Sequence, residues 1–254
     1  MIKIEKQVHS VPIITVWFAD REIDDDGIIN YKEARAPIGQ SIPFITLISD
    51  LKESEDDIKA HFSKGCRYEV NRAYRENVEF HILDSDEIDD KTLEDFLDFF
   101  EEFWESKDSS IGDRESLAEE LKKYRDSRAF SVGYAVVNGE IAVYHTYIHD
   151  DDITRLLHSA SLFRLKNDTD DTNKNVIGMA NRALHFEEMK YFKAKGLSVY
   201  DWGGAGKEEE VANITKFKEF FGGTPVTYYD CEQIKGTKAK LVSDLSSLKQ
   251  RLLH

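Results

Sequence analysis

The chain has 254 residues, 41% of them hydrophobic, so it is long and apolar enough to bury a core as one large or two small domains, and a disordered chain is excluded. Thirty-four basic against 49 acidic side chains leave a formal net charge of −15, which argues against a sequence-independent grip on nucleic acid: no DNA partner is expected, and a tRNA partner only through a local basic groove. Cys66 and Cys231 are too few for a disulfide framework, and with no secretory leader or membrane-length apolar span the expected compartment is the cytoplasm.

Met1–Glu5 and Val11–Ala19 have strand character, the second interrupted by Pro12. Glu22–Glu33 approaches the spacing of a calcium loop, with carboxylates at positions one, three and five, Gly27 at six and Glu33 at twelve. Position one is Glu, the preceding segment alternates like a strand, and Pro37 cuts short any following helix. An acidic surface loop with a glycine turn is the plainer reading, and no metal is expected. Ser41–Leu51 reads as a buried strand, and Ser54–Asp57 as a capping box opening a helix that turns Ile58 and Phe62 inward.

In the next helix, Gly65–Asn77, Cys66, Val70 and Ala73 form the apolar stripe, while Tyr68, Asn71, Arg72 and Arg75 share another face. That face is either a site for a phosphorylated acceptor, met by charge-assisted hydrogen bonds, or a solvated surface balanced by nearby acids. Glu79–Leu83 is a short strand. Leu93, Phe96, Leu97, Phe100, Phe103 and Trp104 mark an amphipathic helix, and Leu117, Leu121 and Tyr124 a second. Ala129–Val137 and Glu140–His149 are strands joined by the hairpin turn Asn138-Gly139, followed by a third strand, Ile153–Phe163. His145 and His158 each lie on an apolar strand face, as core residues or as catalytic groups. After a polar loop, Arg164–Lys174, a long helix is expected to open at Asn175 and end near Lys195.

Leu197–Tyr200 is a short strand entered through Gly196, and it stops at Asp201-Trp202-Gly203-Gly204, the carboxyl end where α/β sheets bind ligands. Ile214, Phe217, Phe220 and Phe221 mark a helix closed by Gly222-Gly223. Thr224–Asp230 is a last strand, and Leu241, Leu245, Leu248 and Leu252 line one face of a terminal helix that packs back or makes a homodimer contact. Tyr200-Asp201-Trp202-Gly203-Gly204 with Phe217-Lys218-Glu219-Phe220-Phe221-Gly222-Gly223 resembles the YDFGG…FKxxFGG signature of the FemAB-like branch of GNAT acyltransferases. Arg67–Ala73 is similar to the RxxIRKA helix of the same group.

The resemblance implies an α/β (α+β) fold with a mixed central sheet flanked by helices. It implies two GNAT-related halves, 1–125, a candidate for acceptor binding, and 126–254, the acyltransferase half with its terminal helix. It implies an N-acyltransferase that moves an acyl group from acetyl-coenzyme A, or another acyl-coenzyme A, to an amino sugar or similar amine, small or lipid-linked, in surface-polysaccharide biosynthesis. An aminoacyl-tRNA-dependent peptidoglycan-bridge enzyme and a non-catalytic binding module are the alternatives. Asn175-Val176-Ile177-Gly178-Met179-Ala180 partly matches the coenzyme A pyrophosphate turn, where small residues let backbone N–H groups approach a diphosphate. Lys218 matches the family lysine that faces the donor. Asp201 is the first candidate base, or else an acid that holds the glycine loop; His145 and His158 follow. Tyr228 or Tyr229 stands in for the tyrosine that many GNAT enzymes use to protonate the departing thiolate. Trp202, Gly203 and Phe217 fall in the implied substrate pocket with Tyr68, Asn71, Arg72 and Arg75.

Overall fold

The computed structural model describes residues 1–8, 10–162, 171–206 and 209–242. In chain order the first elements are β1 (Ile2–Val8), β2 (Val11–Trp17), β3 (Gly27–Ala34), β4 (Ile42–Asp50), α1 (Glu55–Ala60) and α2 (Lys64–Ala73). There follow β5 (Glu79–Asp84), α3 (Asp90–Glu105), α4 (Arg114–Asp126), β6 (Phe130–Val137), β7 (Glu140–His149) and β8 (Ile153–Ser161). The last are α5 (Asp171–Ala194), β9 (Val199–Gly204), α6 (Glu209–Glu219) and β10 (Thr224–Lys235). No helix among the described residues is long and apolar enough to cross a membrane.

Contacts divide the chain into two compact units: Met1–Thr46 with Val226–His254, and Leu47–Pro225. The boundary expected after residue 125 falls inside the second unit, before the last residue of α4. The chain passes from one unit to the other within β4 and again within β10.

In the first unit the strand order is β1-β2-β3-β10, with β2 and β3 parallel and the outer pairs antiparallel. Ile29, Tyr31 and Ile14 bury one face together with Cys231, as period-two alternation requires. The acidic segment 22–33 is no ion loop. From Gly27 onward it is extended strand, Glu22 is paired with Lys235 at 2.5 Å, and Asp25 with Lys3 at 2.5 Å. Of the terminal-helix face, Leu241 is exposed, and Leu245, Leu248 and Leu252 lie outside the described residues.

The second unit has the order β4-β9-β8-β7-β6-β5. The β6–β7 hairpin turns at Asn138 and Gly139, both with positive φ (56° and 81°), as a two-residue turn of this type demands. Tyr144 on β7 packs edge-on against Phe99 of α3, while its neighbour His145 reaches Glu188 and Asn181 on α5. Helices therefore cover both faces of the sheet, as expected for a mixed α/β fold with a flanked central sheet. Ser63 caps α2 by accepting from the Cys66 N–H, and α2 packs on α5.

Three boundaries differ from expectation. The helix expected from Gly65 to Asn77 breaks after Ala73 into a short 3₁₀ turn. β10 runs five residues beyond Asp230, because those residues find pairing partners along β3. α5 starts at Asp171, four residues before Asn175.

Candidate active site

The sequence of β8 produces two departures from a regular sheet. Thr146 pairs with His158 but Tyr147 pairs with Leu156, so Leu157 is an extra residue on β8. Such a bulge bends its strand and re-aims the side chains beyond it. On the other edge β8 pairs in parallel with β9 only at Ile153–Val199, Thr154–Tyr200 and Arg155–Asp201, after which the described pairing ends. Beyond the parting lies a cavity of about 440 Å³. Ser159 and Ser161 of β8, Gly178, Asn181 and Arg182 of α5, and Asn213, Ile214 and Phe217 of α6 line it, with Phe103 and Lys107 closing the α3 side.

The cavity wall is fixed by polar contacts. The Arg182 guanidinium donates to the Gly178 carbonyl at 3.0 Å, pairs with Glu69 at 2.7 Å and lies 5.1 Å from the Phe217 ring centre. Behind Asn181 runs a buried polar chain. His145 Nε2 is 2.8 Å from Asn181 Oδ1, and its Nδ1 is 2.9 Å from Glu188 Oε2. Glu188 makes a very short bond to the Tyr147 hydroxyl, which is 2.6 Å from the Tyr200 hydroxyl, itself 2.8 Å from His185 Nδ1. All five of these side chains, from His145 to His185, are fully buried. Burial pushes the Glu188 carboxyl and the Tyr147 and Tyr200 phenols up, and holds His185 well below its ordinary value.

His145, His185 and Glu188 offer three potential metal-ligand atoms within 4.8 Å of one another. The two imidazoles are stacked, however, with centres 4.1 Å apart and planes 22° from parallel. Ring-nitrogen lone pairs lie in the ring planes, so these two run side by side and do not converge on one ion. The trio reads as a hydrogen-bonded cluster.

The residues singled out from the sequence fall in several places. Gly178 and Phe217 line the cavity, and His145 stands directly behind it. Asn175–Ala180 form no helix-opening turn: they lie in the second and third turns of α5, where backbone N–H groups are spent on intrahelical bonds. Val176, Ile177, Met179 and Ala180 are core residues there. Asp201 is buried opposite Arg155 and accepts from the Gly203 N–H at 2.7 Å, which fixes the glycine turn at φ +67°. That is the loop-holding alternative for this acid.

Lys218 meets no open space. It is buried, and its ammonium donates to the Gly203 and Gly204 carbonyls at 2.7 Å each. His158 does not share the Leu156 face, because the bulge turns it over. It contacts Thr146 at 2.7 Å between Phe96 and Phe100 of α3, and burial lowers it to about 4. Trp202 is core, donating to Ser49 at 3.0 Å. Tyr68, Asn71, Arg72 and Arg75 are not cavity-lining: Arg72 pairs with Glu76, and Asn71 with Lys59. Tyr228 belongs to the first unit.

Sequence reasoning missed Ser159, Ser161, Asn181, Arg182 and Glu188. One signal was available: Asn181, His185 and Glu188 recur at four and three, which puts three polar groups on the buried face of an otherwise apolar helix.

No family model matches the chain, and no curated protein matches it. Among solved structures it is similar to FemX, at 13% identity and a TM-score of 0.60, over 73% of this chain and 61% of FemX. It is also similar to the C-terminal domain of a putative lysylphosphatidylglycerol synthetase from Agrobacterium fabrum, at 11% identity and a TM-score of 0.54, over 97% of this chain and 88% of that one. L-PGS from Bacillus licheniformis gives 12% identity and a TM-score of 0.51, over 94% and 83%. The chain thus spans about three-fifths of FemX. Its fold is GNAT-like, a mixed central sheet flanked by helices.

Proposed function

We propose that this protein is an N-acyltransferase that takes an acyl group from an acyl-coenzyme A thioester and places it on the amine of an amino sugar or similar acceptor in surface-polysaccharide biosynthesis. The observation that carries this reading is the parting of β8 from β9, with a cavity at the open edge backed by Asn181 and His145. A strand edge without a neighbour has backbone groups that can bind an extended, amide-containing chain, which is the chemistry of the pantetheine arm. In this reading a backbone N–H on β8 past the bulge receives the carbonyl oxygen as charge builds on it.

The amine nitrogen attacks the thioester carbonyl carbon, and the carbon–sulfur bond breaks as the tetrahedral intermediate collapses. The amine's surplus proton passes to water in the cavity, the thiolate leaves and takes up a proton, and the products are an amide and a free thiol. Lys107 brings positive charge to the cavity wall of a strongly acidic chain, which suits an anionic donor.

A second reading has an aminoacyl-tRNA donor. It is favoured by the likeness, over 97% of this chain, to the domain of a putative lysylphosphatidylglycerol synthetase. Calorimetric titration with acetyl-coenzyme A separates the two, run on the native protein and on Ser161→Phe, which fills the cavity. Binding that the substitution abolishes supports the thioester donor. A flat titration with acetyl- and longer acyl-coenzyme A, with acyl transfer from aminoacyl-tRNA in its place, overturns it.

A further inference from the structure

β8 and β9 part immediately after one couple of residues, Arg155 and Asp201. Both strands continue past it, β8 to Ser161 and β9 to Gly204. Neighbouring strands of a parallel sheet go on exchanging backbone hydrogen bonds unless their N–H and C=O groups are engaged elsewhere. Here they are engaged, and by the side chains of that same couple.

On β8, Nη1 of Arg155 donates to the Leu156 carbonyl at 2.8 Å. This oxygen points toward β9, since a Cβ built on Gly203 would stand 3.0 Å from it. On β9, the Asp201 carboxylate accepts from the Gly203 N–H at 2.7 Å, the short-range side-chain bond that competes with a ladder. The Gly203 carbonyl is taken from the α6 side, by the Lys218 ammonium at 2.7 Å. Each strand therefore binds its own backbone with its own side chain. Gly203 completes the fit. Its φ of +67° rotates the peptide planes away from those of a regular strand, and its missing side chain leaves room for the Arg155 guanidinium, whose Cζ is 3.4 Å from where a Cβ would be. The Leu157 bulge is registered on the opposite edge of β8, against β7, and comes two residues after the last couple with β9.

We infer that Arg155 and Asp201 form a built-in ladder stop: they are positioning residues that keep β8 and β9 from zipping together beyond their own couple. Neither lines the cavity, and neither has to touch a substrate. Their effect is to withhold β9 from the β8 edge, so that the edge stays available to an extended amide chain. The two caps act on opposite strands, so loss of either frees one half of the missing ladder.

The consequence for donor binding rests on the acyltransferase reading, but the stop itself does not, and the test reads the stop directly. Amide-resolved hydrogen exchange over residues 156–161 and 202–204 is compared between the native protein and Arg155→Met, which keeps the stem and removes the donor. Should that variant fail to fold with Asp201 left alone, Arg155→Met/Asp201→Leu removes both charges together. The expected result is a gain: β8 amides past Leu156 exchange about tenfold more slowly in the variant, as they acquire partners on β9. New proton–proton contacts between Leu156 and Gly203 accompany it. A residue with a merely structural role would give faster exchange on replacement. Unchanged or faster exchange over 156–161 in the folded variant overturns the inference and leaves the bulge as the cause of the parting. Acetyl-coenzyme A titrated into the same variant should bind about tenfold more weakly or not at all. Failure of the native protein to bind it leaves the exchange result intact and counts only against the proposed reaction.

Discussion

Gly133 and Glu188 are matched in shape: the carboxyl group of one occupies the space that a side chain on the other would fill. Gly133 lies in the middle of β6, where an alanine would otherwise be tolerated or preferred. Gly133→Ala should therefore destabilise the protein by about 1–3 kcal/mol through overpacking against a side chain that cannot withdraw. Paired chemical denaturation of native and substituted protein checks this, and unchanged stability would mean that Glu188 has somewhere else to go.

Lys218 ties together the turn after β9. Lys218→Met keeps the apolar stem but leaves the Gly203 and Gly204 carbonyls without their shared donor. The expected loss is about 1–3 kcal/mol of stability. Donor affinity measured at several salt concentrations should keep its native slope, because the ammonium faces carbonyl oxygens and no phosphate.

His158 makes folding pH-dependent in a definite window. Burial first, and the Arg155 charge second, lower it to about 4, against about 6.5 for an unfolded histidine. Between those values the unfolded chain binds a proton that the folded one does not, so stability falls as pH drops from about 6.5 to about 4 and the loss then levels off. His158→Gln removes this component. Urea midpoints across that range should show a shallower slope in the variant, and parallel slopes would contradict the assignment. His185 titrates in the same direction and remains in both proteins, so the difference isolates His158.

Asn181 separates His145 from the cavity. Asn181→Leu should lower the turnover of acyl transfer by about tenfold or more while leaving the KM for the thioester near its native value. A rise in KM with unchanged kcat would make Asn181 a binding residue only.

Much of this architecture could be read from the chain. Asn138-Gly139 fixed the hairpin because few other pairs accept two positive φ values in succession, and the spacing of Leu93, Phe96, Leu97 and Phe100 gave α3 its buried face. The site was less legible. A single extra residue, Leu157, reverses the facing of everything after it on β8, and no pattern in LLHSAS announces a bulge. The small residues at Gly178 and Ala180 looked like a phosphate turn because helix openings and tight helix packing favour the same residue types; here they sit inside α5. Lys218 could not be assigned because a lysine read from sequence does not reveal which carbonyls will surround it.

The first unit is discontinuous along the chain, and this has a bearing on how the protein is made. β3 emerges from the ribosome at residues 27–34, but the strand that pairs with its free edge is not complete until Lys235. For the intervening synthesis the β3 edge and the buried face of Tyr31 have no partner from β10, while the whole of the second unit, Leu47–Pro225, can already close upon itself. Order of synthesis and order of folding are thus inverted: the segment made first is finished last. An interruption of translation between Pro225 and Lys235 releases a chain whose second unit is complete and whose β3 edge is open to other chains.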